Sequence, residues 1–142
     1  MAAATDDGAW VRHGGLAYRV VAEVPVLRVE RAGWPDEAAL MAHCLGIVEE
    51  AVRRRARLLL VDERGMDGFL EGGLGSMLLY REITREGQAR GLADHMFRAA
   101  ILSPPLGGSD RGVFAQSVTG VGVEMAYFEV EGDALAWLGV RD

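Results

Sequence analysis

The segment "RLLLVDERG", Arg57 to Gly65, constrains the fold more than any other part of the chain. Leu58, Leu59, Leu60 and Val61 form an unbroken apolar run that stops abruptly at Asp62, Glu63 and Arg64. A strand with one wet face alternates apolar and polar residues. An unbroken run instead marks a strand covered on both faces, as in a parallel sheet. Both flanks agree with that reading. On the N-terminal side Leu40, Cys44, Ile47, Val48 and Ala51 recur at three- and four-residue spacing, which predicts an amphipathic helix from about Pro35 to Arg55. Pro35 suits a first helical turn, and Asp36 and Glu37 suit the positive end of the helix dipole. On the C-terminal side a second helix is predicted over about Glu71 to Arg90, closed by Gly91.

The remaining segments continue the alternation. "AWVRH", "LAYRVVAEV" and "PVLRVERAG" read as strands, with Gly14-Gly15 a hairpin turn and Val24-Pro25 a weaker one. In the third segment Val26, Arg28 and Glu30 oppose Leu27, Val29 and Arg31, the period of two of a pleated strand. "HMFRAAILS" is a further strand closed by Pro104-Pro105, and "GSDRGVFAQSVTG" a short helix capped by Ser109 or Asp110. "VEMAYFEV" is the last strand and "GDALAWLGV" the terminal helix, in which Trp137 is expected to anchor the core. Helices alternating with strands imply right-handed crossovers and a mixed sheet. The expected architecture is a small polar leader over residues 1–8 and one α/β domain over residues 9–142. That domain should hold about five strands and about four helices.

Charge and cysteine usage exclude several function classes. With 15 basic residues against 21 acidic ones the chain carries a net charge of −6, unsuited to a duplex nucleic-acid partner, which demands a basic face. The cluster Arg53, Arg54, Arg55 and Arg57 falls at a helix end, where cations complement the dipole. Cys44 is alone, so one chain builds neither a disulfide nor a zinc cluster, and a reducing, cytoplasmic setting is expected. The neighbours of Cys44 mark it as a small buried hydrophobe rather than a nucleophile. No stretch approaches the roughly 20 apolar residues of a membrane span. All 15 basic residues are arginine, which removes Schiff-base lysine chemistry.

Catalytic constellations are weak. His13, His43 and His95 fall in separate elements, and His43 and Cys44 are adjacent helical residues that point apart. There is no Gly-x-Ser-x-Gly elbow and no phosphate loop with a trailing Lys, so no cofactor and no metal are implied. "GGLGS" at a helix start and "SPPLGGSDRG" after a strand could each offer amides to an anion, with Arg111 nearby in sequence. Asp62, Arg64, Ser103 and Ser109 would then share one rim beyond the carboxyl ends of the strands. The competing reading, that these residues are caps and turns, is kept beside it.

The stretch "VDERGMDGFLEGGLGSMLL", Val61 to Leu79, resembles the central motif of the STAS fold, which includes bacterial anti-sigma-factor antagonists. In that family a strand ends in an aspartate, and Asp-Ser-Ser-Gly-Leu-Gly then opens a helix. Asp62 matches the strand-end aspartate, and Gly73-Leu74-Gly75 match Gly-Leu-Gly. Leu70, Glu71 and Gly72 stand where the family has Asp, Ser and the phosphorylated Ser. Gly72 carries no hydroxyl, so the resemblance implies the shape without the phosphoserine switch. Ser76 lies one turn further in. "GLADHMFRAAILSPP" and "VEMAYFEVEGDALAWLGV" are similar to the small stand-alone SpoIIAA-like, or STAS/Sec14-like, proteins.

That resemblance implies a STAS-like sandwich with helices largely on one face of the sheet. It further implies a non-enzymatic protein-interaction or regulatory module, expected to act as a homodimer. The partner surface would gather Asp62, Arg64, Glu71, Gly72, Gly73, Gly75, Ser76, Ser103 and Ser109. The alternative is a Sec14-like carrier of a small apolar molecule or lipid, its pocket lined by Leu74, Met77, Leu78 and Phe114.

Overall fold

The computed structural model describes residues 8–34, 36–67, 85, 86, 89, 97–103 and 123–140, and every structural statement below concerns these residues. They form a six-stranded sheet in the spatial order β1 (Val11–His13), β2 (Leu16–Ala22), β3 (Leu27–Gly33), β4 (Leu58–Met66), β5 (Phe97–Leu102), β6 (Val123–Phe128). The first three strands pair antiparallel and the last four pair parallel, so β3 belongs to both halves. β1 falls within the predicted strand "AWVRH", and Gly14-Gly15 folds it back onto β2, so the sheet has six strands rather than about five. Two helices are described, α1 (Glu37–Arg53) and α2 (Glu131–Leu138). Of the other two predicted helices, the one over about Glu71 to Arg90 is described only at Arg85, Glu86 and Ala89, which are helical, and the one over "GSDRGVFAQSVTG" lies outside the described residues.

The apolar run in β4 is covered on both faces, as its sequence requires. Leu59 and Val61 face α1 and join Tyr18, Val20, Leu27, Val29, Ala99 and Ile101 around Ile47 and Ala51. Leu60 points the other way, into a cluster with Ala100, Leu102, Ala134 and Leu138 of α2. The two described helices thus take opposite faces of the sheet. Trp137 is half-buried against Phe128, with ring centroids 5.6 Å apart, and the Arg98 guanidinium lies 4.1 Å above its ring.

The hairpin turn is locked to the start of α1. Gly33 has φ +103°, and a Cβ there would sit 2.0 Å from the Gly15 carbonyl oxygen. Trp34 N–H donates to that same oxygen at 3.1 Å, and the Trp34 ring lies over Gly15. Asp36, expected to serve the helix dipole, is instead turned back. Its Oδ2 accepts the Gly15 N–H at 2.8 Å, and it makes no side-chain cap on α1. At the other helix end Arg53 and Arg54 both bind Glu50, and Arg54 also reaches Glu23 at 3.0 Å. The arginine cluster is therefore an ion-paired helix end.

Candidate functional site

The residues predicted for the rim divide into those the structure places and those outside the described residues. Glu71, Gly72, Gly73, Gly75, Ser76 and Ser109 fall outside, as do Leu74, Met77, Leu78, Phe114, His95 and Arg111. Asp62, Arg64 and Ser103 are placed: Asp62 and Arg64 bind each other within β4, and Ser103 follows the last residue of the neighbouring β5. Asp62 is the register partner of Leu102 on β5 and of Glu30 on β3, and Ser103 directly follows Leu102. Ser103 is buried, and its N–H donates to the Phe128 carbonyl at 2.9 Å.

Asp62 is the centre of an ion-pair chain. Its Oδ1 accepts the Arg64 backbone N–H at 3.1 Å and the Nε–H at 3.0 Å, while Oδ2 accepts Nη2–H at 2.8 Å. Arg28 Nη2, on β3, lies 3.6 Å from the same Oδ2 and donates to Glu131 Oε1 of α2 at 2.7 Å. Arg64 Nη2 lies 3.7 Å from that Glu131 oxygen. Burial alone would raise the Asp62 pKa, but the Arg64 hydrogen bonds, helped by Arg28, hold it below the ordinary carboxylate range. The Arg28 hydrogen bond lowers Glu131 likewise. A carboxylate held ionised by two arginines does not exchange a proton near neutral pH. It joins β3, β4 and the start of α2 at the point where the chain leaves the sheet.

On the α1 face lies a second polar cluster, which reading the sequence missed. His43 is fully buried. Arg31 donates to His43 Nε2 at 2.8 Å through Nε and to Glu63 Oε2 at 2.8 Å through Nη1. His13, Tyr18 and His43 form a ring cluster with centroid separations of 5.6 to 6.5 Å. Desolvation, then the charges of Arg31 and His13, push the His43 pKa down to about 3. Burial raises the Tyr18 hydroxyl, and the charges of Glu50 and Glu49 raise it further. Burial also raises the Cys44 thiol, against the pull of Arg31, which suits the packing role expected of it.

The helix stripe therefore needs correction. His43 and Glu50 are buried, whereas Cys44 and Val48 are only half-buried. A signal was present in strand parity. Arg31 follows Leu27 and Val29, and Glu63 follows Leu59 and Val61, at two-residue steps that put both on the α1 face.

Comparison with family models gives no match, and neither does comparison with curated proteins. Solved structures do match. One is an anti-sigma factor antagonist from Mycobacterium paratuberculosis, 11% identical, with a TM-score of 0.53 over 87% of this chain and 94% of that one. Another is an uncharacterized protein from the DUF3478 family with a SpoIIAA-like fold, from Shewanella loihica PV-4. It is 16% identical, with a TM-score of 0.50 over 94% of this chain and 98% of that one. The chain has the SpoIIAA-like fold. In this SpoIIAA-like domain β4 lies inside the parallel half of the sheet, and Asp62 is the fifth of its nine residues rather than the strand-end residue that the STAS motif implies, because β4 continues to Met66. No helix among the described residues is long and apolar enough to cross a membrane.

Proposed function

We propose that this SpoIIAA-like domain is a non-enzymatic regulatory module that acts by binding a protein partner at the carboxyl-end rim of its parallel strands. The observation that carries the reading is the ion-pair chain Arg64–Asp62–Arg28–Glu131. It commits the Asp62 carboxylate to bracing β3, β4 and α2 rather than to proton transfer, and it leaves the Arg64 side chain about half exposed as a charged contact. The anti-sigma factor antagonist among the similar structures supports a regulatory role of this type. Without a hydroxyl at Gly72 the module would bind constitutively, with no phosphoserine to release it. Homodimerisation belongs to the same reading.

The test is cross-linking and affinity purification of the full chain from its native cells. Binding is then measured again with the purified partner. The expected result is a stoichiometric protein complex, weakened about tenfold or more by Arg64→Glu and unchanged by Arg98→Glu at the opposite, amino end of the parallel strands. A chain recovered with no protein partner, carrying a small apolar molecule in native mass spectrometry, would overturn the proposal in favour of a carrier. Sedimentation equilibrium settles the dimer separately.

A further inference from the structure

β1 closes one edge of the sheet, and no described strand pairs with its outer side. His13 and Leu16 flank a two-residue turn, so they form a hydrogen-bonded pair, as do Val11 and Tyr18 two residues along. The N–H and C=O of the intervening Arg12 therefore point outward, away from β2. Beside this edge an open trough of about 620 Å3 runs between β1 and α1. Val11, His13 and Tyr18 line its strand side, and Met41, Leu45 and Glu49 its helix side. Gly46 lets the Tyr18 ring pack close against α1 at the floor of the trough: a Cβ there would come within 2.9 Å of the Tyr18 hydroxyl. His13 Nδ1 is buried without a hydrogen-bond partner among the described residues.

A strand edge with no described partner on its outer side, running beside a helix with a trough between them, is the geometry in which an extended peptide adds as a further strand. Backbone groups give the affinity, and alternate side chains enter the trough. Charge decides the occupant. The Arg12 side chain is exposed and has no ion-pair partner among the described residues. A second copy paired antiparallel about Arg12 would set Arg12 against Arg12, and like charges directly opposite are destabilising. An acidic residue opposite Arg12 is favourable instead.

We propose that this edge takes an extended segment of a partner protein, with an acidic residue facing Arg12 and apolar or threonine side chains entering the trough on either side. A valine side chain or a threonine methyl suits the Val11, Met41 and Leu45 surface. The surface lies on the α1 side and the outer edge, away from the Asp62 rim, so the inference goes beyond the proposed regulatory contact.

The test titrates the full chain with an end-capped octapeptide that alternates Val or Thr with Glu, and with the same peptide bearing Lys for Glu. The expected result is saturable binding of the Glu peptide with a dissociation constant below about 1 mM, and weaker binding of the Lys peptide. Arg12→Glu should reverse that preference by about five- to tenfold. N-methylation of the peptide residue paired with Arg12 should abolish binding, and Ala42→Trp, which fills the trough from the helix side, should weaken it. Arg64→Glu should leave it unchanged, which separates this outcome from that of the rim. Equal binding of both peptides, binding that survives N-methylation, or no binding of either would overturn the proposal.

Discussion

Arg31 donates its Nε hydrogen to His43 Nε2 at 2.8 Å, and that one contact dictates the protonation state of the buried histidine. A guanidinium has no lone pair to offer, so Nε2 must accept and the single ring proton resides on Nδ1. The imidazole is therefore held neutral, in agreement with a pKa pushed down to about 3. Arg31 keeps its own charge balanced by Glu63 on β4, so helix and sheet are joined through one arginine.

Stability should depend on pH through His43. Its ordinary pKa is 6.5 and its folded value about 3, so between those limits the unfolded chain binds the extra proton. Stability then rises with pH across that window, by about 1.4 kcal/mol per pH unit, and is fully present above pH 6.5. Urea unfolding at half-unit intervals from pH 4.5 to 7.5 reads the slope. His43→Gln should flatten it, whatever its effect on absolute stability.

Arg31→Met should be among the costliest single changes. It leaves the carboxylate of Glu63, only 6% exposed, without that cation, and His43 Nε2 without its donor. Removing one partner of a buried pair typically costs about 3–5 kcal/mol. The double variant Arg31→Met/Glu63→Leu should recover part of that loss, because the stranded charge goes with its partner. Chemical denaturation of the three proteins decides the point.

Two glycines should respond in opposite directions. Gly33→Ala meets both a left-handed backbone and the Gly15 carbonyl, so a loss of about 2 kcal/mol or more is expected. A Cβ at Gly132 meets nothing within 4 Å, and that residue lies in α2. Gly132→Ala should therefore gain up to about 1 kcal/mol. Thermal melts of the two variants should move to opposite sides of the wild type.

At the rim, position decides magnitude. Arg64 is 47% exposed, so Arg64→Ala should cost under about 1 kcal/mol. Asp62 is 10% exposed and serves two arginines, so Asp62→Ala should cost more, about 1–3 kcal/mol. Its folded pKa is lowered, so its contribution is complete above the ordinary carboxylate value and disappears as pH falls through the lowered one. The difference between Asp62→Ala and wild type should therefore shrink below about pH 4.

Much of the architecture was legible because its signals are local. The β4 run named a strand covered on both faces, Gly14-Gly15 a hairpin turn, and the three- and four-residue apolar spacing a helix close to Glu37–Arg53. The rim was legible in part. Asp62 and Arg64 bind each other, and Ser103 lies just past the end of the neighbouring strand, but nothing in their order revealed that Arg28 and Glu131 complete the chain of charges. Arg28 and Glu131 are 103 positions apart, and only the packing of α2 on the sheet joins them.

The buried cluster marks the same boundary. Its contacts span 12 positions from Arg31 to His43 and 32 from Arg31 to Glu63, and the Asp36 hydrogen bond to Gly15 spans 21. By itself the sequence determined which segments become strands and helices and which strand lies deepest, because periodicity and turn chemistry act between near neighbours. Only the tertiary structure decided which charges neutralise one another and why a histidine stays uncharged. Strand register and the rotation of α1 about its axis choose those partners, and neither is encoded in any single stretch of the chain.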